Sequence, residues 1–406
     1  MDFDDTAEEA AFRAEARAWL RANVPTEYEA DLRSSPFGRI ALRNRDIVAA
    51  SKAWQKRKAE AGWACLHWPK DYGGRGASPI ERVIWQQEEG IYSKLSSLFI
   101  VGHGMCGPTV MAYADEAQKR RYLPPLAAGE EIWCQLFSEP ACGSDLAGLR
   151  TRAEPDGDDW VVNGQKIWTS HAHLSDYGIL LTRTDPTVPK HKGLTMFFLD
   201  MRSPGVEIRP IRQGDGQAEF NEVYFTDVRI PDAQRLGRPG EGWSVALTTL
   251  MNERLSIGAV MPTGFPEMLA FCCTPGPDGR APVDDSAVRK RLARWAARSS
   301  GLRFTAQRSI SAMSRGNMPG PENSIGKLVA GTMMQEIAGY ALELMGPAGM
   351  IAGGQFQAMM LRSPATRVEG GTDEILRNII AERVLGLPAD IRVDKDVPFN
   401  QIARTG

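Results

Sequence analysis

The stretch RVEGGTDEIL, Arg367 to Leu376, places a carboxylate at Glu369 directly before two adjacent glycines and just ahead of a helical pattern. General-base chemistry needs one positioned carboxylate that can reach a proton at hydrogen-bond distance. A loop glutamate at a helix entrance has the same appearance, so both readings stand at this point. The five histidines offer less. His171 and His173 are spaced for a strand, but no acid or cysteine stands at metal-ligand spacing beside them, and they read as a loop or surface pair. No GxSxG elbow and no GxxxxGK(S/T) loop is present, so hydrolase and P-loop readings lack their mark.

GHGMCG, Gly102 to Gly107, matches GxGxxG and follows the apolar SLFIV. A dinucleotide fingerprint needs a βαβ unit and an acid about twenty residues on. Asp115 comes too early and helical patterns flank the segment, so close packing of a helix on a neighbour or ligand is the better account. Gly102, Gly104 and Gly107 are expected to leave room there for a bulky or long ligand chain.

The elements that must position these groups follow from periodicity. Thr6-Ala7-Glu8-Glu9 is a capping-box pattern. Phe12, Trp19 and Leu20 then fall on one helical face. Helical spacing recurs through RDIVAASKAWQKRKAEAGW and up to DEAQKRRYLPPLAAGEE, where Pro124-Pro125 reads as a break. The texture then changes. DWVVNGQKIW reads as two strands joined at Asn163-Gly164. GILLTRTD, GLTMFFLDM, GVEIRPI and NEVYFTDVRIP follow as short strands, and helical spacing returns from EGWSVALTTLMNERLSIGAV. The expected class is α+β: a helical domain over 1–130, a central β-barrel over 131–235, a four-helix bundle over 236–390, and a loose tail over 391–406. This order lacks the regular alternation of a doubly wound sheet.

Composition bounds the partners. A chain of 406 residues with a net charge of -2 has no basic run that would suit nucleic acid. No apolar run approaches the ~18 residues of a membrane span. The acidic MDFDDTAEEA does not fit a signal-peptide n-region. Cys65, Cys106, Cys134, Cys142, Cys272 and Cys273 show no CxxC or framework spacing and read as free thiols in a cytoplasmic protein.

WPKDYGG (Trp68 to Gly74), LFSEPACGSD (Leu136 to Asp145), GQKIWTS (Gly164 to Ser170) and EGGTDEILRNIIAERVLGLP (Glu369 to Pro388) stand in order along the chain. In these motifs and their spacing the chain resembles the acyl-CoA dehydrogenase family. The resemblance implies a helical domain, a β-barrel and a C-terminal helical bundle, with FAD held between barrel and bundle. It also implies dehydrogenation of an acyl-CoA, an electron-transfer flavoprotein as acceptor, no metal, and a homodimer, homotetramer or heterotetramer. By the same resemblance, Gln135, Leu136, Phe137 and Ser138 form the strand at the flavin pyrimidine. Trp168, Thr169 and Ser170 lie against the ring near N5. Gly143 and Ser144 form a small-residue turn toward the FAD and CoA phosphates. Thr372 and Glu374 touch FAD from a helix start.

The resemblance also bears on the base. One branch of the family carries it in EGT ahead of the last long helix. Aligning on Gly371-Thr372 puts Gly370, not Glu369, at that position, and Glu369 falls one residue early. Another branch takes the base from ERL in an earlier helix, which this chain matches with Glu253-Arg254-Leu255. Glu253 is the expected base and Glu369 the alternative. Gly370 is expected to offer its N–H to the thioester oxygen, with Ser144, Arg254, Gly370 and Gly371 around the substrate.

One family motif is missing. RxxFG, which reaches a neighbouring subunit's FAD, is replaced by AFCCTPGPDGRAPVDDSAVRKRLARW, where Gly276, Pro277 and Gly279 suggest a loop. Arg280, Arg289 and Arg291 are the arginines at hand. The alternatives to an active dehydrogenase are therefore a half-site partner subunit of a heteromer, and a flavin monooxygenase or oxidase on the same fold.

Overall fold

The computed structural model describes residues 5–34, 42, 45–257, 262–315, 320–321, 323–391 and 393–402, with the side chains of 254–257, 313–314 and 323 excepted. Its elements pack into two compact units. One comprises Met1–Arg45, Ser78–Tyr92 and Ile257–Ala389; the other comprises Asp46–Ala77, Ser93–Ser256 and Asp390–Gly406.

The first unit is helical. Ala7–Asn23 starts at the capping box read from the sequence, with the Thr6 hydroxyl accepting from the Glu9 amide and the Glu9 carboxylate accepting from the Thr6 amide. This helix packs on Pro79–Glu89, where Trp19 meets Trp85 and Arg13 and Arg17 share Glu88. Four further helices, Phe265–Cys273, Ser286–Ser314, Asn323–Met345 and Gln355–Val368, enclose one core of Met268, Trp295, Ile337, Phe356 and Met359 among others.

The second unit is built on eight strands: β1 (Trp133–Leu136), β2 (Arg152–Asp156), β3 (Asp159–Ser170), β4 (Tyr177–Arg183), β5 (Leu194–Asp200), β6 (Val206–Pro210), β7 (Phe220–Pro231) and β8 (Arg235–Leu236). Pairing runs β6-β7-β3-β2-β4-β5-β8, with β1 parallel to β4. The sheet curls so that Ala153, Val162, Leu180, Phe197, Leu199 and Val223 share an inner core. Its outer face, Ile179, Leu181, Met196 and Phe198, packs under Leu123, Leu126, Val110 and Val245. Strands buried on both faces lose the apolar–polar alternation, which is why GILL and TMFFL read as continuous apolar runs.

Several sequence expectations are corrected. Asn163-Gly164 makes no hairpin turn: β3 runs straight through it, and the turn falls at Gly157, whose φ is 64°. Asn163 instead donates through Nδ2 to Asp227 Oδ1 and accepts through Oδ1 from the Asp227 backbone N–H, across a register shift, and Gly164 is needed because a Cβ there would lie 2.5 Å from Thr151 Oγ1. Pro124-Pro125 does not break the chain's helix, which covers Glu116–Ala128 and ends at left-handed Gly129. GHGMC lies in helical structure as the sequence reading expects, as a single π-helical turn, Gly102–Cys106. Its flanking glycines leave no room for a ligand. A Cβ at Gly107 would collide with the Trp68 indole, and one at Gly102 would lie 2.7 Å from Leu126 Cδ1.

The stretch expected as a loose tail also docks, in the part that is described. Phe399 N–H donates to Val188 O and Asn400 N–H to Pro186 O, while the Phe399 ring lies 3.6 Å under the Arg183 guanidinium. Lys190 reaches both Asp394 at 2.7 Å and Asp145 at 2.9 Å. All six cysteines lie among the described residues and none forms a disulfide. Among the described residues no single helix is long and apolar enough to cross a membrane.

Candidate active site

The β3 ladder slips near its end. Lys166 faces Val223 but Thr169 faces Asn221, so Ile167 and Trp168 together oppose Glu222. A bulge of this kind re-aims a side chain. Trp168 takes φ 60°, a left-handed conformation uncommon for a bulky residue. Its side chain is not packed into the sheet core: Trp168 is 56% exposed and touches only the edge of Phe220 among the aromatic rings. A large apolar surface held outward on a strained backbone is a feature of binding sites.

The same slip frees the Ile167 N–H, which donates to Ser138 O at 2.9 Å. Lys166, wholly buried, donates through Nζ to Phe137 O at 2.9 Å and to Glu139 Oε1 at 2.8 Å. Glu139 also accepts from the Arg150 and Thr151 amides. Burial pushes its carboxyl up, but the Lys166 ammonium and these donors outweigh that and hold it below the ordinary range. The segment 137–139 is therefore fastened to the two residues just before Trp168. Lys166 and Glu139 were not singled out in the sequence, although they sit inside GQKIWTS and LFSEP.

Two buried polar atoms in this region have no partner among the described residues: Gln135 Oε1 on β1 and Thr169 Oγ1 on β3. Buried polar groups in native proteins are almost always paired, so an unpaired pair asks for a ligand or water. A flavin ring edge carries both donors and acceptors, and the residues fit it: half-buried Ser138 and Ser170, exposed Trp168, and Gln135 and Thr169 beside them. The side chains of Leu136, at the end of β1, and Phe137, just after it, are buried in the core. Gly143 and Ser144 lie exposed just after the turn that the reciprocal Glu139–Cys142 backbone bonds close.

In the helical unit, Gly370 and Gly371 have φ of 62° and 98°, which lets the chain reverse between Gln355–Val368 and the next helix, Asp373–Ile379. Three cations hold this reversal. Arg362 Nη2 donates to both Glu369 oxygens at 2.8 Å, Lys327 donates to Gly371 O at 2.6 Å, and Arg367 Nε donates to Asp373 at 2.7 Å. The Gly370 N–H makes no hydrogen bond among the described residues. Thr372 caps the following helix by accepting from Ile375 N–H, which leaves its hydroxyl proton to donate. Glu374 is exposed and faces Arg377 at 3.6 Å. Of the arginines weighed against the missing motif, Arg289 bonds the Val283 and Asp284 carbonyls and Arg291 stacks on Tyr340, both within this unit. Gly276 and Gly279 form the expected turn.

Glu253 is half-buried on Gly242–Ile257. It lies one turn beyond Thr249, whose buried hydroxyl meets that of Thr109, so both stand on one helix face. The side chain of its neighbour Arg254 lies outside the described residues.

Comparison with known proteins decides the family. Residues 6–130, 134–228 and 240–385 match in turn the acyl-CoA dehydrogenase N-terminal, middle and C-terminal domains. The chain is a member of the acyl-CoA dehydrogenase family. It is 38% identical over 392 residues to the acyl-CoA dehydrogenase IpdE1 of Mycobacterium tuberculosis, covering 94% of this chain and 98% of the relative. The ChsE4-ChsE5 complex from Mycobacterium tuberculosis shares the fold at a TM-score of 0.76 and 29% identity, over 96% of this chain and 100% of that one. The Tcur3481-Tcur3483 steroid ACAD does so at 0.78 and 27%, with the same coverage. Family membership makes this acyl-CoA dehydrogenase-like chain an oxidoreductase of a flavoprotein class.

Proposed function

We propose that this chain dehydrogenates an acyl-CoA thioester at its α and β carbons, giving the trans-2-enoyl-CoA, with FAD as cofactor. The observation that carries the reading is the Ser138–Trp168 edge. There an exposed tryptophan stands on a strained bulge next to Thr169, whose buried hydroxyl, like Gln135 Oε1 just before LFSEP, has no partner among the described residues. FAD, when bound, supplies the hydride acceptor for the β carbon.

The chain's own residues do the rest. Glu253 takes the α-proton on its carboxylate. Gly370 donates its N–H to the thioester oxygen, where negative charge develops as that proton leaves. Ser138, Ser170, Gln135 and Thr169 would hydrogen-bond the cofactor ring, and Trp168 would offer it an apolar face. Gly143 and Ser144 serve phosphates through a small-residue turn. By the family resemblance Thr372 and Glu374 would touch the cofactor from a helix start, and Gly371 and Arg254 would contact the substrate. Electrons leave to an electron-transfer flavoprotein.

The chain works with a second, related chain. Two similar structures carry paired names, ChsE4-ChsE5 and Tcur3481-Tcur3483, and RxxFG is absent here. The helical unit also exposes Leu361, Val368, Leu385 and Met350, at 52%, 63%, 66% and 84%. Apolar side chains at this exposure suit a protein interface. The acyl group is bulky and of the steroid type, by analogy with the steroid ACAD among those neighbours. The deciding experiment is the visible absorption spectrum of the chain purified alone and after co-expression with a related chain. A flavin band in either preparation supports the reading, and the two together assign half or whole sites. A colourless protein in both, even with added FAD, would sink it.

A further inference from the structure

Lys166 has a burial that ordinary stability does not explain. Its ammonium is wholly buried and ends on two acceptors, Phe137 O and Glu139 Oε1. Glu139 is 8% exposed, and its other bonds go to the Arg150 and Thr151 amides. Replacing such a pair by apolar side chains is often neutral or stabilising, so a buried ion pair is weak evidence of a stability role. What this pair does is geometric. Nζ grips the carbonyl before Ser138 and the carboxylate after it, while the next amide along β3, Ile167 N–H, grips Ser138 O itself. Three consecutive residues of one segment are tied to two consecutive residues of another. The residue that follows those two is Trp168, whose left-handed φ of 60° is unfavourable unless its flanks are held.

We infer that Lys166 and Glu139 are positioning residues that fix Ser138 relative to Trp168. They touch neither substrate nor cofactor. They set the distance between a hydroxyl and an indole that must meet the same ring, and they keep the bulge from relaxing into the ladder. The inference rests on the flavin reading for its purpose, but the clamp itself is a statement about the chain without cofactor.

The test uses the full chain, with its related partner if the flavin requires one. Lys166→Met together with Glu139→Gln removes both charges without leaving one buried and alone. Glu139→Gln by itself keeps the shape and some acceptors, and serves if the double variant fails to fold. Phe197→Leu, in the inner core of the same sheet and outside the clamp, is the control for general loss of stability. Three readouts are taken: thermal unfolding, amide exchange at Ile167, and FAD affinity by fluorescence. The expected result is at least tenfold faster exchange at Ile167 and at least tenfold weaker FAD binding in the clamp variants. The control, at equal or greater loss of stability, binds FAD as the parent does. Unchanged Ile167 exchange, or FAD binding lowered no more than in the control, overturns the inference. If the parent chain binds no flavin with any partner, the proposed function fails. The exchange data, with near-ultraviolet dichroism of Trp168, then decide the clamp alone.

Discussion

Arg362 Nη2 lies 2.8 Å from both carboxylate oxygens of Glu369. A base needs a lone pair turned to its substrate, and here one guanidinium nitrogen holds one side of both oxygens and stabilises the carboxylate charge. Charge-assisted bonds of this kind are among the stronger ones a carboxylate makes. Glu369 thus anchors the Gly370-Gly371 turn through Arg362, and the proposed base remains Glu253. Glu253→Gln is expected to lower acyl-CoA turnover by about 100-fold or more, the range general-base removal gives. Glu369→Gln should stay within about tenfold, with Arg362→Gln matching it. Full turnover in Glu253→Gln would remove the assignment.

Two histidines set an acid limit on stability. Burial pushes His103 and His171 down to about 4 from an ordinary 6.5, with Lys58 adding to the first and His173 to the second. Native imidazoles therefore stay neutral where unfolded ones already bind protons, so the unfolded state gains as pH falls. The contribution is complete above about pH 6.5 and is lost as pH drops toward 4. Each histidine should remove on the order of 2 kcal/mol by about pH 5. Melting curves at about pH 7 and 5 should show the fall, and His103→Gln, which keeps a donor for Leu126 O, should flatten it. A parent chain with one melting temperature across that range would contradict the shifts.

Gly107 serves packing. Alanine there meets the buried Trp68 ring, and overpacking a filled core costs about 1–3 kcal/mol. Urea unfolding of Gly107→Ala should show a loss of that size. The order of preference across an acyl-CoA panel should not change, because the glycine opens no space. A shifted preference with unchanged stability would return it to the pocket.

Lys190 holds two carboxylates, Asp145 and Asp394, with its side chain 12% exposed. Lys190→Ala should change global stability little, about 1 kcal/mol or less, as for most ion pairs near a surface. It should sharply raise proteolysis around 390–396, because that stretch loses its tie to the sheet. Equal cleavage rates in parent and variant would mean that Phe399 and its neighbours hold the segment without it.

Local rules carried far in this chain and non-local ones did not. Thr6 and Glu9 lie three apart, so their capping box is visible in four letters. The doubly buried β4 and β5 announce themselves by unbroken apolar runs. Asn163-Gly164 misled because the same dipeptide that favours a tight turn also suits a bulge, and only the partner Asp227 decides between them. Pro124-Pro125 stayed helical because Gly129, four residues on, supplies the stop. Lys166 and Glu139 are 27 positions apart, and Arg362 and Glu369 7 apart across a helix end. Nothing short of the fold brings such partners together. The motifs around Ser138 and Trp168 were legible as resemblance, whereas the strain and exposure that make them a site were not.

The sheet-bearing unit is discontinuous in the chain, and its closing piece is Asp390–Gly406. Asp394 and Phe399 settle on Lys190 and Arg183, more than two hundred residues earlier for the first pair. During synthesis, β1 to β8 leave the ribosome well before these contacts exist. The whole four-helix stretch must be made in the interval. The loop carrying Lys190 and the turn carrying Asp145 hold each other at 2.9 Å without the closing piece, and Asp394 joins them only once translation has passed Ile257–Ala389.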